Sequence, residues 1–136
     1  SAISARCCSA GRPVPRKLDD LDGHYVVHYS PGLGGEPATF EYRYGDRYLE
    51  RPMKSLVTVT TADAYLAACA AGLGIIQVPR IGKASRIDDG TVLEILHELT
   101  AAPMPVSLVH AHGRNVPQRV RAFMAWMSRL LEPVLA

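Results

Sequence analysis

Apolar and polar positions along the chain set out a series of short elements. Tyr25 to Tyr29 (Tyr-Val-Val-His-Tyr) is rich in β-formers with little alternation, the pattern of a strand buried on both faces. Phe40 to Arg51 alternates instead. Phe40, Tyr42 and Tyr44 share one face, Glu41 and Arg43 the other, and Gly45-Asp46 supplies a two-residue turn with glycine first. That hairpin register sets Tyr42 opposite Leu49, which is favourable, and Glu41 opposite Glu50, which is not. Leu56 to Thr60, Leu93 to Leu96 and Val106 to His110 predict further strands, the last two separated by the turn-prone Ala102-Pro103-Met104-Pro105.

Residues 60–79 are the most informative. Thr60 and Asp63 have capping-box spacing, and the body that follows is nearly all Ala and Leu, strong helix formers small enough to approach a sheet closely. Gly72 supplies the left-handed residue that ends such a helix. Ile75 to Val78 is then a short apolar strand closed by Pro79, completing a βαβ unit. Leu18 and Leu21 among aspartates predict one helical turn stopping at Gly23. At the far end, Val116, Val120, Phe123, Met127, Leu130 and Val134 recur at helical spacing, with Asn115 as cap and Pro117 in the first turn. Packing of that stripe on a sheet is expected over a coiled-coil seam, for which the helix is too short. Residues 1 to 20 read as polar, turn-rich extended chain around Pro13 and Pro15.

Composition narrows the function classes. The 136 residues are the length of one domain, and 48% are hydrophobic, enough for a core without staples. Fifteen basic and 13 acidic residues leave a charge of +2, and the basic ones are scattered, so no nucleic-acid surface is indicated. Cys7, Cys8 and Cys69 make no disulfide framework; Cys69, among alanines, reads as a small buried hydrophobe, and a reducing cytoplasm is the expected location. No apolar run reaches the roughly 18 residues of a membrane span, and no signal peptide opens the sequence.

Catalytic chemistry is not signalled. His110 and His112 would share a strand face, yet spacing indicates no third metal ligand. No nucleophile elbow is present, and Gly72-Leu73-Gly74 ends a helix where a dinucleotide fingerprint would begin one. No enzyme activity, cofactor or metal is therefore expected. Binding is better supported. Thr60, Thr61 and Ala62 sit where a strand's carboxyl end meets a helix N-terminus, whose open N–H groups and positive dipole suit a carboxylate or other anion. Plain N-capping by the same threonines needs no ligand. Tyr29 and Ser30 end the preceding strand and face the same prospective cleft.

Five segments in order carry a resemblance. They are Asp19-Asp20-Leu21-Asp22-Gly23-His24, residues 60–79 with Gly72-Leu73-Gly74-Ile75 and Pro79, Asp89 to Leu96, Ala102 to His110 with Pro103-Met104-Pro105-Val106, and Arg119 to Phe123. Together they resemble the effector-binding domain of LysR-type transcriptional regulators over roughly residues 10 to 136. The resemblance implies an α/β, periplasmic-binding-protein-like fold of two lobes with an effector in the cleft between them, here with the second lobe and only part of the first. It implies residues 1–20 as a first-lobe remnant and lead-in, 21–92 as the second lobe, and 93–136 as the return into the first lobe. Carried onto this chain, its binding positions are Thr60, Thr61, Ala62, Tyr29, Ser30 and Pro79. The implied partners are a small anionic or polar metabolite, a second copy of the chain in a dimer or tetramer, and DNA only through an N-terminal helix-turn-helix that these residues do not include. No membrane partner is expected. The alternative is a solute-binding protein for transport.

Overall fold

The structure is a computed structural model describing residues 2–7, 11–32, 34–79, 90–111 and 113–135, with side chains for all of these except 2–7, 134 and 135. Cys8, His112 and the stretch 80–89, with its expected Asp88-Asp89 turn, lie outside the described residues. The chain divides into two units, Ser1–Met104 and Pro105–Ala136.

The first unit contains β1 (Ala2–Cys7), a 3-10 turn (Leu18–Gly23), β2 (Tyr25–Tyr29), β3 (Thr39–Tyr44), β4 (Arg47–Pro52), β5 (Lys54–Val59), α1 (Ala62–Ala70), β6 (Ile76–Pro79) and β7 (Val92–Ile95). Parallel β2 and β5 pair from Tyr25↔Lys54 to Tyr29↔Val59. On its other edge β2 meets the start of β6 through a parallel bridge, Val26↔Ile75. β1 runs antiparallel between β6 and β7. The strands thus follow one another as β5, β2, β6, β1, β7. The βαβ unit expected over residues 56–78 is present, but β5 and β6 flank β2 and do not pair with each other.

The strand β1 was not expected from the polar lead-in. Its hydrogen-bond ladders to β6 and β7 join residues 2–7 to the same sheet as residues 76–79 and 92–95.

Both faces of the sheet are covered. On one, α1 packs Ala68 and Cys69 against Val27, Ile76, Val78 and Val92. On the other, the 3-10 turn and the β3–β4 hairpin bring Leu21 and Phe40 onto Val26, Ile75, Ile95 and Leu96. Neighbouring Val26 and Val27 are therefore both buried, as the unalternating sequence of β2 predicts. Full burial of Leu21, Phe40 and Ile75 stabilises by about 1.5–3 kcal/mol each. Cys69 is free and fully buried.

The hairpin holds the predicted register, Tyr42↔Leu49 and Glu41↔Glu50, around Gly45 at φ +60°. The helix α1 is capped by Thr61, one residue later than the Thr60–Asp63 spacing suggests: β5 ends at Val59, and the Thr61 hydroxyl accepts the Ala64 N–H at 3.3 Å. Gly72 at φ +81° ends it, with the Leu73 N–H on the Ala68 carbonyl at 3.0 Å.

The second unit holds α2 (Gln118–Leu135). Its first bonds run from the N–H groups of Val120 and Arg121 to the Pro117 carbonyl, so Pro117 stands just before the helix and Asn115 two residues upstream of the cap. The expected strand at Val106 to His110 is not formed: a strand needs a neighbouring ladder, and among the described residues none lies beside it. Val109 is 91% exposed. Along the apolar stripe of α2, Phe123 and Leu130 are more than half exposed, as is Trp126 beside it, whereas Val120 and Met127 are half-buried.

Close approach of the α1–β6 connection to β2 depends on Gly74. A Cβ there would lie 2.7 Å from the Val26 carbonyl carbon and 2.9 Å from both Tyr25 O and Val27 N, all backbone atoms. Gly74→Ala is expected to destabilise by about 2–3 kcal/mol in urea unfolding, since rigid backbone cannot move aside. Gly34→Ala, which meets nothing within 4 Å, should fall within roughly 0.5 kcal/mol of the parent.

Candidate functional site

A parallel ladder continues as long as each donor finds the carbonyl of the next strand. Between β2 and β6 two bonds form: the Ile75 N–H to Tyr25 O at 2.8 Å and the Val27 N–H to Ile75 O at 2.9 Å. The next bond of the series would join the Gln77 N–H to the Val27 carbonyl. Instead the Gln77 N–H donates to the Tyr65 hydroxyl at 3.0 Å. Tyr65 lies one turn into α1, and its phenol reaches the sheet where β2 and β6 part.

A cavity of about 540 Å3 opens at that parting. Tyr29 and Pro79, at the carboxyl ends of β2 and β6, line it together with Tyr65 and Gln77. The chain leaves β2 for β5 on one side and returns through α1 to β6 on the other, so the crevice is a topological switch point, the place where open α/β sheets gather ligands. The hairpin forms its other wall. The Gln77 side chain grips the β3 backbone, with Glu41 N donating to Oε1 at 2.9 Å and Nε2 donating to Glu41 O at 2.8 Å. The rings of Tyr29 and Tyr65 stand 5.3 Å apart between centroids, tilted by 37°.

Burial pushes the Tyr65 phenol up to about 12, and the Gln77 N–H works in the opposite direction by stabilising phenolate. The oxygen accepts from the Gln77 N–H, and the retained proton is a donor for the cavity.

The six positions expected to bind separate into two groups. Tyr29 and Pro79 line the cavity. Thr60, Thr61 and Ala62 are exposed at the start of α1 and are not among its lining residues. Helix geometry leaves the Ala62 and Asp63 amides without intrahelical acceptors, so this edge is open to solvent. Ser30 is buried, with its N–H on Val59 O at 2.9 Å, and supports the junction of β2 and β5. Sequence reasoning missed Tyr65, Gln77 and Glu41. The alternating Phe40–Tyr44 pattern did place Glu41 on the hairpin's polar face, but nothing in the spacing joins it to residue 77. No group of three metal-ligating side chains occurs among the described residues, and none of their helices is long and apolar enough to cross a membrane.

A mixed sheet with one antiparallel insert and a crevice at its switch point defines an α/β ligand-binding lobe. Residues 5–132 match the LysR substrate binding domain. The chain belongs to that family, and its fold is the periplasmic-binding-protein-like α/β fold. It is 36% identical over 121 residues to the HTH-type transcriptional regulator YhjC of Escherichia coli, a match over 89% of this chain and 40% of that protein. A transcriptional regulator of Pseudomonas aeruginosa is 26% identical over 96 residues, 71% of this chain and 31% of that protein. The chain thus spans well under half the length of these curated relatives. Among solved structures, the regulatory domain of AphB from Vibrio vulnificus superposes with a TM-score of 0.68 at 20% identity, over 95% of this chain and 64% of that one. The effector domain of AmpR from Pseudomonas aeruginosa gives 0.63 at 13%, over 98% and 62%. These relatives are regulators, and the transport alternative gains no support from them.

Tyr65 yields a pH test. Its folded pKa lies above a tyrosine's ordinary value of 10.0, so the stability it contributes is fully present below about pH 10 and is lost as pH rises toward 12. Urea unfolding at pH 9 to 12 should show this fall, and Tyr65→Phe should flatten it. The same variant, measured at pH 7, should cost about 1–2 kcal/mol by removing the hydroxyl that accepts from the Gln77 N–H. A fall of equal size in Tyr65→Phe would assign it to other groups.

Proposed function

We propose that this chain is the ligand-sensing domain of a LysR-type transcriptional regulator, and that it takes a small polar molecule in the crevice between β2 and β6. The observation that carries this reading is the cavity itself: about 540 Å3 at a topological switch point, with a phenol, an amide and strand-end residues facing it. The family membership supports a sensor. Tyr29 and Pro79 contact the ligand's body. The open start of α1 at Thr60, Thr61 and Ala62 serves a ligand long enough to extend along the sheet edge, and Ser30 holds that edge in place.

In the two-lobe frame of the family, residues 21–92 belong to the second lobe, and the segment beyond β7 leads toward the first. DNA reading falls to a helix-turn-helix outside this chain, consistent with the HTH-type designation of the Escherichia coli relative. The whole protein acts as a homo-oligomer. A ligand changes its geometry only by binding one arrangement better than another; a tenfold shift needs a difference of about 1.4 kcal/mol.

Thermal unfolding of the chain against a library of small metabolites tests this. A ligand at 100 times its Kd should stabilise by about 2.7 kcal/mol, a rise of several degrees. Tyr29→Ala should remove that rise. Thr60→Val with Thr61→Val should remove it only for ligands reaching the helix start. A rise unchanged in both variants would place the site elsewhere.

A further inference from the structure

The charge of the crevice is unusual for a site expected to hold an anion. Glu36, Glu41 and Glu50 all line it, and no Lys or Arg does so among the described residues. Glu41 and Glu50 stand directly opposite each other on one face of the β3–β4 ribbon. Like charges so placed repel, which destabilises the hairpin unless something lies between or above them. Two of the ribbon's three arginines are committed elsewhere, and Arg47 lies opposite Tyr44 on the ribbon's other face. Arg43 bonds Gly45 O at 2.9 Å and lies 3.8 Å from Asp46. Arg51 reaches the Leu18 carbonyl at 3.0 Å and pairs with Asp19 and Asp22. The position of Glu41 is fixed, since its N–H and its carbonyl are both held by the Gln77 side chain.

The other wall complements this. The tyrosines Tyr29 and Tyr65 present rings whose faces carry negative charge, and such rings attract ammonium and guanidinium groups. We infer that the crevice takes an organic cation, a small amine or guanidine whose charged head sits between the Glu41 and Glu50 carboxylates and the Tyr29–Tyr65 ring pair. This inference rests on the crevice being the ligand site and names the ligand's chemical class. The open amides at the start of α1 then receive any anionic or carbonyl end of the same molecule.

The test uses the 136-residue chain and two probes of similar size and opposite charge, n-butylguanidinium and pentanoate, by calorimetric titration at low salt. Butylguanidinium should bind, and Glu50→Gln should weaken it about tenfold or more, with Glu41→Gln behaving alike. Both substitutions should raise the melting temperature of the ligand-free chain, because each relieves the opposed charges; that readout shows the variants are folded. Loss of pentanoate binding in Tyr29→Ala, with no binding of butylguanidinium, would overturn the cation assignment while leaving the crevice as the site. Butylguanidinium binding unaffected by Glu50→Gln, Glu41→Gln and Tyr29→Ala would overturn both. Absence of any butylguanidinium binding overturns the cation assignment.

Discussion

One hydrogen bond decides where two parallel strands stop being a sheet and become a crevice: the Gln77 N–H to the Tyr65 hydroxyl. Parallel pairing is self-propagating, because each formed bond aligns the next donor with the next carbonyl. Closing the gap between β2 and β6 would pair Gln77 with Val27 and leave no hollow. The phenol satisfies that donor from the helix side and so removes the drive to close. It can do this because α1 is made of small residues, Ala68 and Cys69 among them, and lies close enough for a tyrosine on its first turns to reach the sheet.

The same residue ties the crevice to its other wall. The backbone N–H of Gln77 is engaged by Tyr65 on α1, and its side-chain amide is engaged twice by Glu41 on β3. Three elements distant in sequence meet on one glutamine. A ligand that changes the Tyr29–Tyr65 ring contact acts on Gln77 directly, and through it on the hairpin, with no need for a longer chain of contacts. Beneath this, Gly74 lets the α1–β6 connection lie against β2, and without that approach Ile75 could not bridge to Val26.

Much of the local structure was legible because local chemistry dictates it. The Gly45 turn fixed the hairpin register down to the Glu41–Glu50 pair, and Gly72 marked the end of α1. The strand β1 was hidden for the opposite reason: Ala2–Cys7 has one large apolar residue, Ile3, among small and polar ones, and its partners lie some 70 to 90 positions onward at β6 and β7. The unformed strand at 106–110 fails on the same principle, since strand-forming residues without a ladder remain loop. The start of α1 was readable from its cap-like spacing to within one residue, whereas the cavity was not. A crevice is a property of how β2, β6 and the hairpin are spaced, and no single segment encodes it.

The most direct measurement of the central claim follows backbone amide resonances of the isotope-labelled chain while the metabolite giving the largest thermal shift is titrated in. The account predicts that the Gln77 amide and the Tyr29 and Glu41 amides move together, saturating at one ligand per chain, because all three border the occupied space. Shifts confined to Thr60 to Asp63, with Gln77 unmoved at saturation, would contradict it and leave the crevice without a role in recognition.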